Sequence, residues 1–286
     1  MIAGLNDLPD AMARVLAPEP RDAFYDQFTS ATASLAGAQS AFVCQTEPIR
    51  YLAGVFAAMS AHVPVFLANP NWGTRHWEQA LAYGAPDVWL GAPPTVAAPA
   101  GGRPALPAQP CRGCVMIPTG GSTSGVRFAV HNRQTLMSAA DGYLRFFKAE
   151  GLAMVCALPV YHVAGLLQAF RAISGGGPFH LIPWKVLESG VLPGVPQRAH
   201  LSLVPAQLKR LLTHPPAVAW LRKFDVVLVG GGPCPTALIE SALAEGIPLA
   251  LSYGMTEAAA TVAIVRPHVL AAGERQFAEL LPHISA

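Results

Sequence analysis

Short apolar runs alternate with helix-like segments along most of this chain. Runs with the length of buried strands occupy 41–45, 63–68, 87–91, 114–118, 128–131, 154–158, 200–204, 226–230 and 248–252. Helical spacing of apolar residues lies between them, at 49–61, 73–83, 133–148, 206–212 and 237–244. Strands that alternate with helices predict mostly parallel sheets with helices on their faces, which is an α/β fold.

A proline-rich stretch interrupts this alternation. Residues 92–110 contain six prolines together with several alanines and glycines, a composition typical of a loop or linker. We therefore predict a first α/β subdomain at 1–91, a connection at 92–112 and a second α/β subdomain at 113–286.

Composition excludes several classes of protein. The 286 residues are 52% hydrophobic and 13% charged, which argues against disorder. A net charge of +2 without a basic run argues against nucleic acid as a partner. The N-terminus lacks the pattern of a secretory signal. The apolar stretch 51–68 contains Ser60, His62 and Pro64, so we expect a helix and a strand there and no membrane span.

The five cysteines include one C-x-x-C, at Cys111 and Cys114. A zinc site needs further ligands at suitable spacing, and the sequence has no second pair. A redox pair would be expected to open a helix, whereas this one follows the proline-rich stretch. We therefore expect unpaired cysteines and a cytoplasmic location.

The most informative segment is TGGSTSGVR at 119–127, which lies between two predicted strands. Glycines allow sharp turns and bring backbone N–H groups close to an anion. Hydroxyl groups and Arg127 add further donors, so the segment suits a triphosphate. It differs from the P-loop of nucleotide hydrolases because no Lys-Ser/Thr pair follows the glycines. Taken alone, a polar turn between two strands explains the segment equally well.

Three other segments follow predicted strands. His162 lies in LPVYHVAGL (158–166), where a capping or core role is the simpler explanation. GGGP at 230–233 offers bare backbone against which a flat ring can lie, at the strand end where open α/β sheets bind ligands. In SYGMTE (252–257), Tyr253 can stack on a base and Glu257 can hold Mg²⁺.

Together, in this order, the four segments resemble the AMP-forming adenylate superfamily of acyl-CoA synthetases, luciferases and peptide-synthetase adenylation domains. The resemblance runs from about residue 40 to the C-terminus. It implies the large N-terminal domain of the adenylate-forming fold, with two stacked, mostly parallel sheets. It also implies ATP, Mg²⁺ and CoA as cofactor and co-substrates, and activation of a carboxylic acid as an acyl-adenylate. The residues that it assigns to the nucleotide are Thr119, Gly120, Gly121, Ser122, Thr123, Ser124, Gly125, Gly230, Gly231, Gly232, Pro233, Tyr253 and Gly254.

The resemblance assigns the chemistry to Thr256, Glu257, His162 and Arg127, with Glu257 as the metal ligand. These groups would neutralise the charge that accumulates when a carboxylate attacks a phosphate. The phosphate segment departs from the family pattern at Ser124, Val126 and Arg127, where Gly, Pro and Lys are common. Because Arg127 keeps the positive charge, we expect weakened rather than lost phosphate contact.

Within the superfamily, the sequence is most similar to o-succinylbenzoate–CoA ligases of menaquinone and phylloquinone synthesis. The similar stretches are PVFLANPNWG, IPTGGSTSGVRFAVHN, LPVYHVAGLLQAFR, SLVPAQLKRLL and YGMTEAA. Those ligases place a cation nine residues after the motif histidine, and Arg171 holds that position here. The resemblance therefore implies an acid pocket that includes His162, Gly165 and Arg171, with Arg171 meeting a second carboxylate.

The resemblance leaves several questions open. The chain ends at Ala286, before the family's ribose-binding aspartate and its C-terminal lid domain with an adenylation lysine, so we expect binding but little thioester from it alone. One alternative is a non-catalytic or split nucleotide-binding module, and another is a ligase for a different aryl acid. A serine hydrolase is excluded by the lack of a G-x-S-x-G segment. A homodimer and a separate C-terminal domain stay open as partners.

Overall fold

The computed structural model of the chain describes residues 7–17, 21–96, 112–119, 125–274 and 278–284. The described helices are α1 (Leu8–Val15), α2 (Arg21–Ser34), α3 (Pro48–Ser60), α4 (Thr74–Leu81), α5 (Arg133–Phe147), α6 (Val163–Gly175), α7 (Trp184–Glu188), α8 (Pro205–Leu212), α9 (Pro215–Leu221), α10 (Thr236–Ala244) and α11 (Pro267–Ala271). The described strands are β1 (Leu16–Ala17), β2 (Ala41–Cys44), β3 (Val65–Leu67), β4 (Val88–Gly91), β5 (Val115–Thr119), β6 (Arg127–His131), β7 (Ala153–Cys156), β8 (Phe179–Leu181), β9 (Ala199–Leu203), β10 (Val226–Val229), β11 (Leu249–Met255), β12 (Ala260–Val265) and β13 (Glu279–Leu280).

The chain divides into two compact units. Of the described residues, the first unit takes those within Met1–Arg14, Glu19–Leu136 and Val160–Leu166. The second unit takes those within Val15–Pro18, Met137–Pro159 and Leu167–Ala286.

The sheet of the first unit has the order β4-β2-β3-β5-β6 in the described part of the chain. Strands β4, β2, β3 and β5 run parallel, and β6 returns antiparallel to β5. Every residue of β2 and β3 is buried, because helices cover both faces of a parallel sheet. This burial explains why both strands are uninterrupted apolar runs in the sequence.

The first unit extends beyond the predicted connection at 92–112. Strands β5 and β6 follow that connection in sequence, yet β5 pairs with β3 and completes the first sheet. The unit therefore continues to Leu136 and also includes Val160–Leu166. The predicted boundary followed a change in composition, whereas the division follows the hydrogen bonds of the sheet. Residues 97–111 of the connection lie outside the described residues.

The sheet of the second unit has the order β1-β8-β7-β9-β10-β11-β12-β13 among the described strands. In this sheet order, the six strands β1, β8, β7, β9, β10 and β11 run parallel to one another. Strand β12 pairs antiparallel with β11, and β13 pairs antiparallel with β12. All residues of β7, β9 and β10 are buried. Two mostly parallel sheets with intervening helices confirm the predicted α/β class. No helix in the described ranges has both the length and the apolar character that a membrane crossing requires.

The expectation that the cysteines are unpaired is wrong for Cys114, which is disulfide-bonded. Gly113, directly before it, has a φ of +67°. Cys111, the other member of the C-x-x-C, lies outside the described residues. Cys44, Cys156 and Cys234 form no disulfide bond.

A buried polar cluster lies in the core of the second unit. The Tyr143 hydroxyl and His200 Nδ1 share a hydrogen bond of 2.8 Å, and His200 is only 4% exposed. Burial lowers the pKa of His200 to about 3, with help from the positive charges of Arg171 and Arg198. His200 is therefore neutral in the folded protein at pH values where it would be charged in the unfolded chain.

This pKa difference predicts acid sensitivity. The folded state binds fewer protons than the unfolded state below about pH 6.5, so stability falls as pH drops from there toward about 3. One pH unit below the unfolded pKa, His200 alone lowers the free energy of unfolding by about 1.4 kcal/mol. Between about pH 7.5 and 5.5, urea unfolding should show that His200→Asn loses that much less stability than the wild type. The exposed His214 provides the control, because His214→Asn should keep the wild-type pH dependence. An unchanged pH dependence in His200→Asn would contradict this account.

Candidate functional site

The two segments of the second unit that are predicted to bind the nucleotide are neighbours in the sheet. Strands β10 and β11 are parallel and adjacent, with Val229 opposite Leu251, so the glycine run at 230–232 lies beside the start of the Tyr253 motif. The Ser252 hydroxyl donates to the carbonyl oxygen of Val229 at 3.3 Å. A Cβ at Gly230 would overlap Ser252 Oγ. The glycine at this position therefore lets the two strand ends approach closely and leaves bare backbone at the sheet edge.

Tyr253 is held outward by an irregularity in its strand. The pairing of β11 with β12 shifts register between Tyr253 and Gly254, and a Cβ at Gly254 would overlap the backbone carbonyl oxygen of Ala260. Bulges of this kind redirect side chains at functional edges. Tyr253 is 65% exposed, which is unusual for a large ring next to a buried strand and provides an open aromatic surface.

A tight turn follows the tyrosine. Thr256–Ala258 form a single turn of 3₁₀ helix, with Thr256 partly buried and Glu257 exposed. Ala259 and Ala260 have φ values of +52° and +81°. Positive φ at non-glycine residues costs free energy and is concentrated at functional turns. The turn thus holds a hydroxyl and a carboxylate at the same sheet edge as Tyr253.

The phosphate segment is described only at its two ends. Gly120, Gly121, Ser122, Thr123 and Ser124 lie outside the described residues. Thr119 ends β5 and stands opposite Arg127 of β6 in an antiparallel pair, which confirms the strands predicted on both sides. Gly125 has a φ of +78°, and Arg127 is exposed.

A pocket of about 250 Å³ in the first unit brings three predicted residues together: Thr119, Gly125 and His162. The sequence analysis missed the rest of its wall, which includes Asn69, Trp72, Arg75, His76 and Gln79. These residues follow β3, and β3 is the parallel neighbour of β5. Their position could have been inferred, because the carboxyl ends of adjacent parallel strands share one sheet edge, where ligands bind.

His162 stands at the start of α6. Its carbonyl oxygen accepts hydrogen bonds from the N–H groups of Gly165 and Leu166, each at 3.0 Å, so its backbone caps the helix. The ring is solvent-exposed, yet desolvation by the surrounding atoms lowers its pKa. The adjacent Tyr161 hydrogen-bonds through its side chain to Asn71. His162 therefore faces the pocket as a neutral hydrogen-bonding group at pH 7.

Arg171 is buried in the second unit, with 3% of its surface exposed. Its guanidinium lies 3.7 Å from the centroid of the Tyr143 ring, and Nη2 donates to the Thr261 hydroxyl at 2.9 Å. The buried Nε has no hydrogen-bond partner in the structure. No carboxylate of the described residues forms an ion pair with it. This helix position is therefore not an exposed one, and the cation is only partly satisfied.

The comparisons with known proteins agree with these motifs. The model of the family described as AMP-binding enzyme matches residues 91–279. The chain belongs to this family. That span includes Thr119, His162, Gly230 and Tyr253, so the predicted family is confirmed.

Relatives in the family carry one name repeatedly. A probable 2-succinylbenzoate–CoA ligase of Mycobacterium tuberculosis is 34% identical over 149 residues, which are 50% of this chain and 39% of that protein. The 2-succinylbenzoate–CoA ligase of Escherichia coli K12 is 36% identical over 155 residues, which are 54% of this chain and 33% of that protein. The chain thus matches well under half of the length of these relatives.

The fold has counterparts among solved structures. The o-succinylbenzoate coenzyme A synthetase of Bacillus subtilis, in complex with AMP, superposes with a TM-score of 0.72 at 17% identity. The match covers 96% of this chain and 64% of that one. At this identity the likeness shows the fold, and it confirms the predicted adenylate-forming α/β architecture.

Gly254 provides a test of the strand irregularity. We expect Gly254→Ala to lower the free energy of unfolding by about 1–3 kcal/mol, because the added methyl group meets the backbone of Ala260. Gly232 is the control, since a Cβ there meets nothing within 4 Å and Gly232→Ala should stay within about 0.5 kcal/mol of the wild type. Chemical denaturation measures both variants. Equal stability of the two would mean that β11 accommodates a side chain at Gly254.

Proposed function

We propose that this chain binds ATP and takes part in activating a carboxylic acid, o-succinylbenzoate, as its acyl-adenylate for transfer to CoA. The observation that carries the proposal is the exposed Tyr253 ring beside the glycine run 230–232, in a chain of the AMP-binding family. The names of the relatives support the choice of acid and of CoA. A role in menaquinone synthesis and a cytoplasmic location follow from the same resemblance and stay predictions.

The adenine of the nucleotide is proposed to lie on Tyr253 and against the backbone of Gly230, Gly231 and Gly232. A flat base needs an apolar face to stack on and close access to backbone, and this sheet edge offers both. Pro233 continues the same turn toward α10. The Thr256 hydroxyl would donate to a phosphate oxygen. In the first unit, Thr119, Gly125 and Arg127 are proposed to contact the polyphosphate.

The chemistry of the first step is a substitution at phosphorus. A carboxylate oxygen of the acid bonds to the α-phosphorus, the bond from that phosphorus to the β-bridging oxygen breaks, and pyrophosphate leaves with the electron pair. The thiolate of CoA then attacks the acyl carbon, and AMP leaves. Because both reactants of the first step are anions, the protein contributes mainly alignment and positive charge.

Glu257 is proposed to bind Mg²⁺ together with the phosphates of ATP. Mg²⁺ at nucleotide sites is held by one or two carboxylates together with substrate phosphates. The described residues contain no group of three or more His, Cys, Asp or Glu side chains that would hold a metal by themselves, whereas Glu257 is an exposed carboxylate beside the proposed phosphate position. Such a metal would arrive with ATP and neutralise phosphate charge.

The acid specificity is proposed to depend on Arg171. A buried cation without an anion is energetically expensive, because desolvation is not offset by an ion pair. Tyr143 and Thr261 supply a ring face and a hydroxyl, but no negative charge. A second carboxylate on the substrate would supply that charge. His162 and Gly165, in the first unit, are proposed to line the acid pocket.

Binding of AMP tests the nucleotide assignment. We expect Tyr253→Ala to weaken AMP binding by about 1–3 kcal/mol, the usual contribution of base stacking on an aromatic ring. Isothermal titration calorimetry on the whole chain measures the affinity. Tyr25 in α2 is the matched control, because it is also an exposed tyrosine, and Tyr25→Ala should bind AMP as the wild type does.

The same titration distinguishes the proposed metal-binding role of Glu257 from the proposed base-stacking role of Tyr253. Glu257→Gln should reduce the Mg²⁺ dependence of ATP binding and leave metal-free AMP binding unchanged. Equal AMP affinity in wild type and Tyr253→Ala would overturn the base assignment.

Selectivity between acids tests Arg171. Arg171→Met keeps most of the side-chain volume and removes the charge, so o-succinylbenzoate binding should weaken by about 2–5 kcal/mol. Benzoate has one carboxylate and should respond much less. Competition titrations with both acids measure the difference, and the melting temperature shows whether the variant is folded. If both acids lose affinity equally in a folded variant, Arg171 has a structural role and does not select the substrate.

A further inference from the structure

Helix α4 carries two basic residues, Arg75 and His76, on a rigid support. Trp77 is 5% exposed, and its ring packs edge-to-face against Trp72 at 5.1 Å and against Trp89 of β4 at 6.0 Å. Trp89 in turn contacts Phe42 in β2 at 5.2 Å. These aromatic contacts fix the helix against the first sheet. Arg75 and His76 belong to this anchored helix, and both line the pocket described above.

The wall of that pocket carries one fixed positive charge, at Arg75, and no carboxylate among its described residues. None of its described lining residues is Asp or Glu, whereas Arg75, His76 and His162 are all basic residues. Gln79 is engaged elsewhere, because its Oε1 accepts the Val126 N–H at 3.1 Å and so holds the backbone after Gly125. The remaining polar groups are the Thr119 hydroxyl and the Asn69 side chain. A cavity with cationic and neutral donors and no carboxylate favours an anion.

A second cleft in the protein, unlike this pocket, is lined by both cations and carboxylates. In the second unit, a larger cleft of about 870 Å³ is lined by Arg145, Lys148 and Arg198, but also by Asp141 and Glu150. Arg145 and Lys148 stand at the C-terminal end of α5, where positive charge complements helix carbonyl groups. Mixed charge of this kind does not select an anion, and Arg145 therefore provides a matched control.

We propose that Arg75, with His76 beside it, binds the β- and γ-phosphates of ATP and then the departing pyrophosphate. The proposal rests on the proposed function and extends it to residues outside the four motifs. Both described ends of the phosphate segment, Thr119 and Gly125, line this pocket. An arginine suits a phosphate because its planar group donates two parallel hydrogen bonds. A cation at this position stabilises the charge that builds up on the leaving oxygen as the bond to the α-phosphorus breaks.

The experiment compares ligands that differ in their phosphates. Isothermal titration of the whole chain with ATP, pyrophosphate and AMP is carried out on wild type, Arg75→Met and Arg145→Met. We expect Arg75→Met to weaken ATP and pyrophosphate by about 10- to 100-fold, as for loss of hydrogen bonds to a charged group. AMP lacks the outer phosphates and should bind with unchanged affinity. Arg145→Met should match the wild type for all three ligands.

The outcomes separate this inference from the proposed function. If the wild type binds neither AMP nor ATP, the proposed function fails. If AMP binds but the wild type does not bind pyrophosphate, or Arg75→Met weakens AMP and ATP equally, the inference fails alone. A folded Arg75→Met variant that binds pyrophosphate normally but loses affinity for o-succinylbenzoate would also overturn it, and would assign the pocket to the acid.

Discussion

The second unit is organised around one buried cation. Arg171 projects from α6, packs on the Tyr143 ring of α5 and donates to Thr261 of β12, so one side chain joins two helices to the sheet. Its charge acts on every titratable neighbour. The pKa of His200 is lowered to about 3, by burial first and by Arg171 second, and burial raises the pKa of Cys156 to about 12. The buried cluster therefore contains the fixed positive charge of Arg171 beside neutral side chains, and no carboxylate of the described residues forms an ion pair with it.

A second constraint is the parallel order of the strands. In a parallel sheet all carboxyl ends reach the same edge, and the residues that follow neighbouring strands must meet there. In the second unit this rule places Gly230, after β10, beside Ser252 and Tyr253 in β11. In the first unit it places Arg75, after β3, in the same pocket as Thr119 at the end of β5. Residues far apart in sequence thus lie together at one sheet edge in each unit.

Local patterns allowed the sequence to predict much of this fold. The strands at 41–44, 226–229 and 199–203 were found because buried parallel strands are short apolar runs. The strand at 260–265 was not predicted, although its ATVAIV sequence favours a strand. Strand pairing determines which residues belong to one unit, and composition does not reveal it. The boundary expected at 92–112 therefore differs from the division after Leu136. Arg75 was not predicted as a site residue for the same reason, because the local sequence of α4 does not show that Arg75 lies in one pocket with Thr119.

The proposed nucleotide and acid sites depend on different kinds of interaction, and this has consequences for substrate choice. Nucleotide recognition is proposed to use backbone at Gly230 and Gly254 and one aromatic face, and a side chain at Gly254 would overlap the backbone of Ala260 in the neighbouring strand. Recognition of the acid is proposed to depend on one charge at Arg171, which a single substitution removes while leaving the sheet register intact. Under this proposal the desolvated charge would discriminate between acids, because an acid without a second carboxylate would leave it unpaired. Under these two proposals, a substitution at Arg171 changes which acid is selected and leaves the sheet edge proposed for the nucleotide intact.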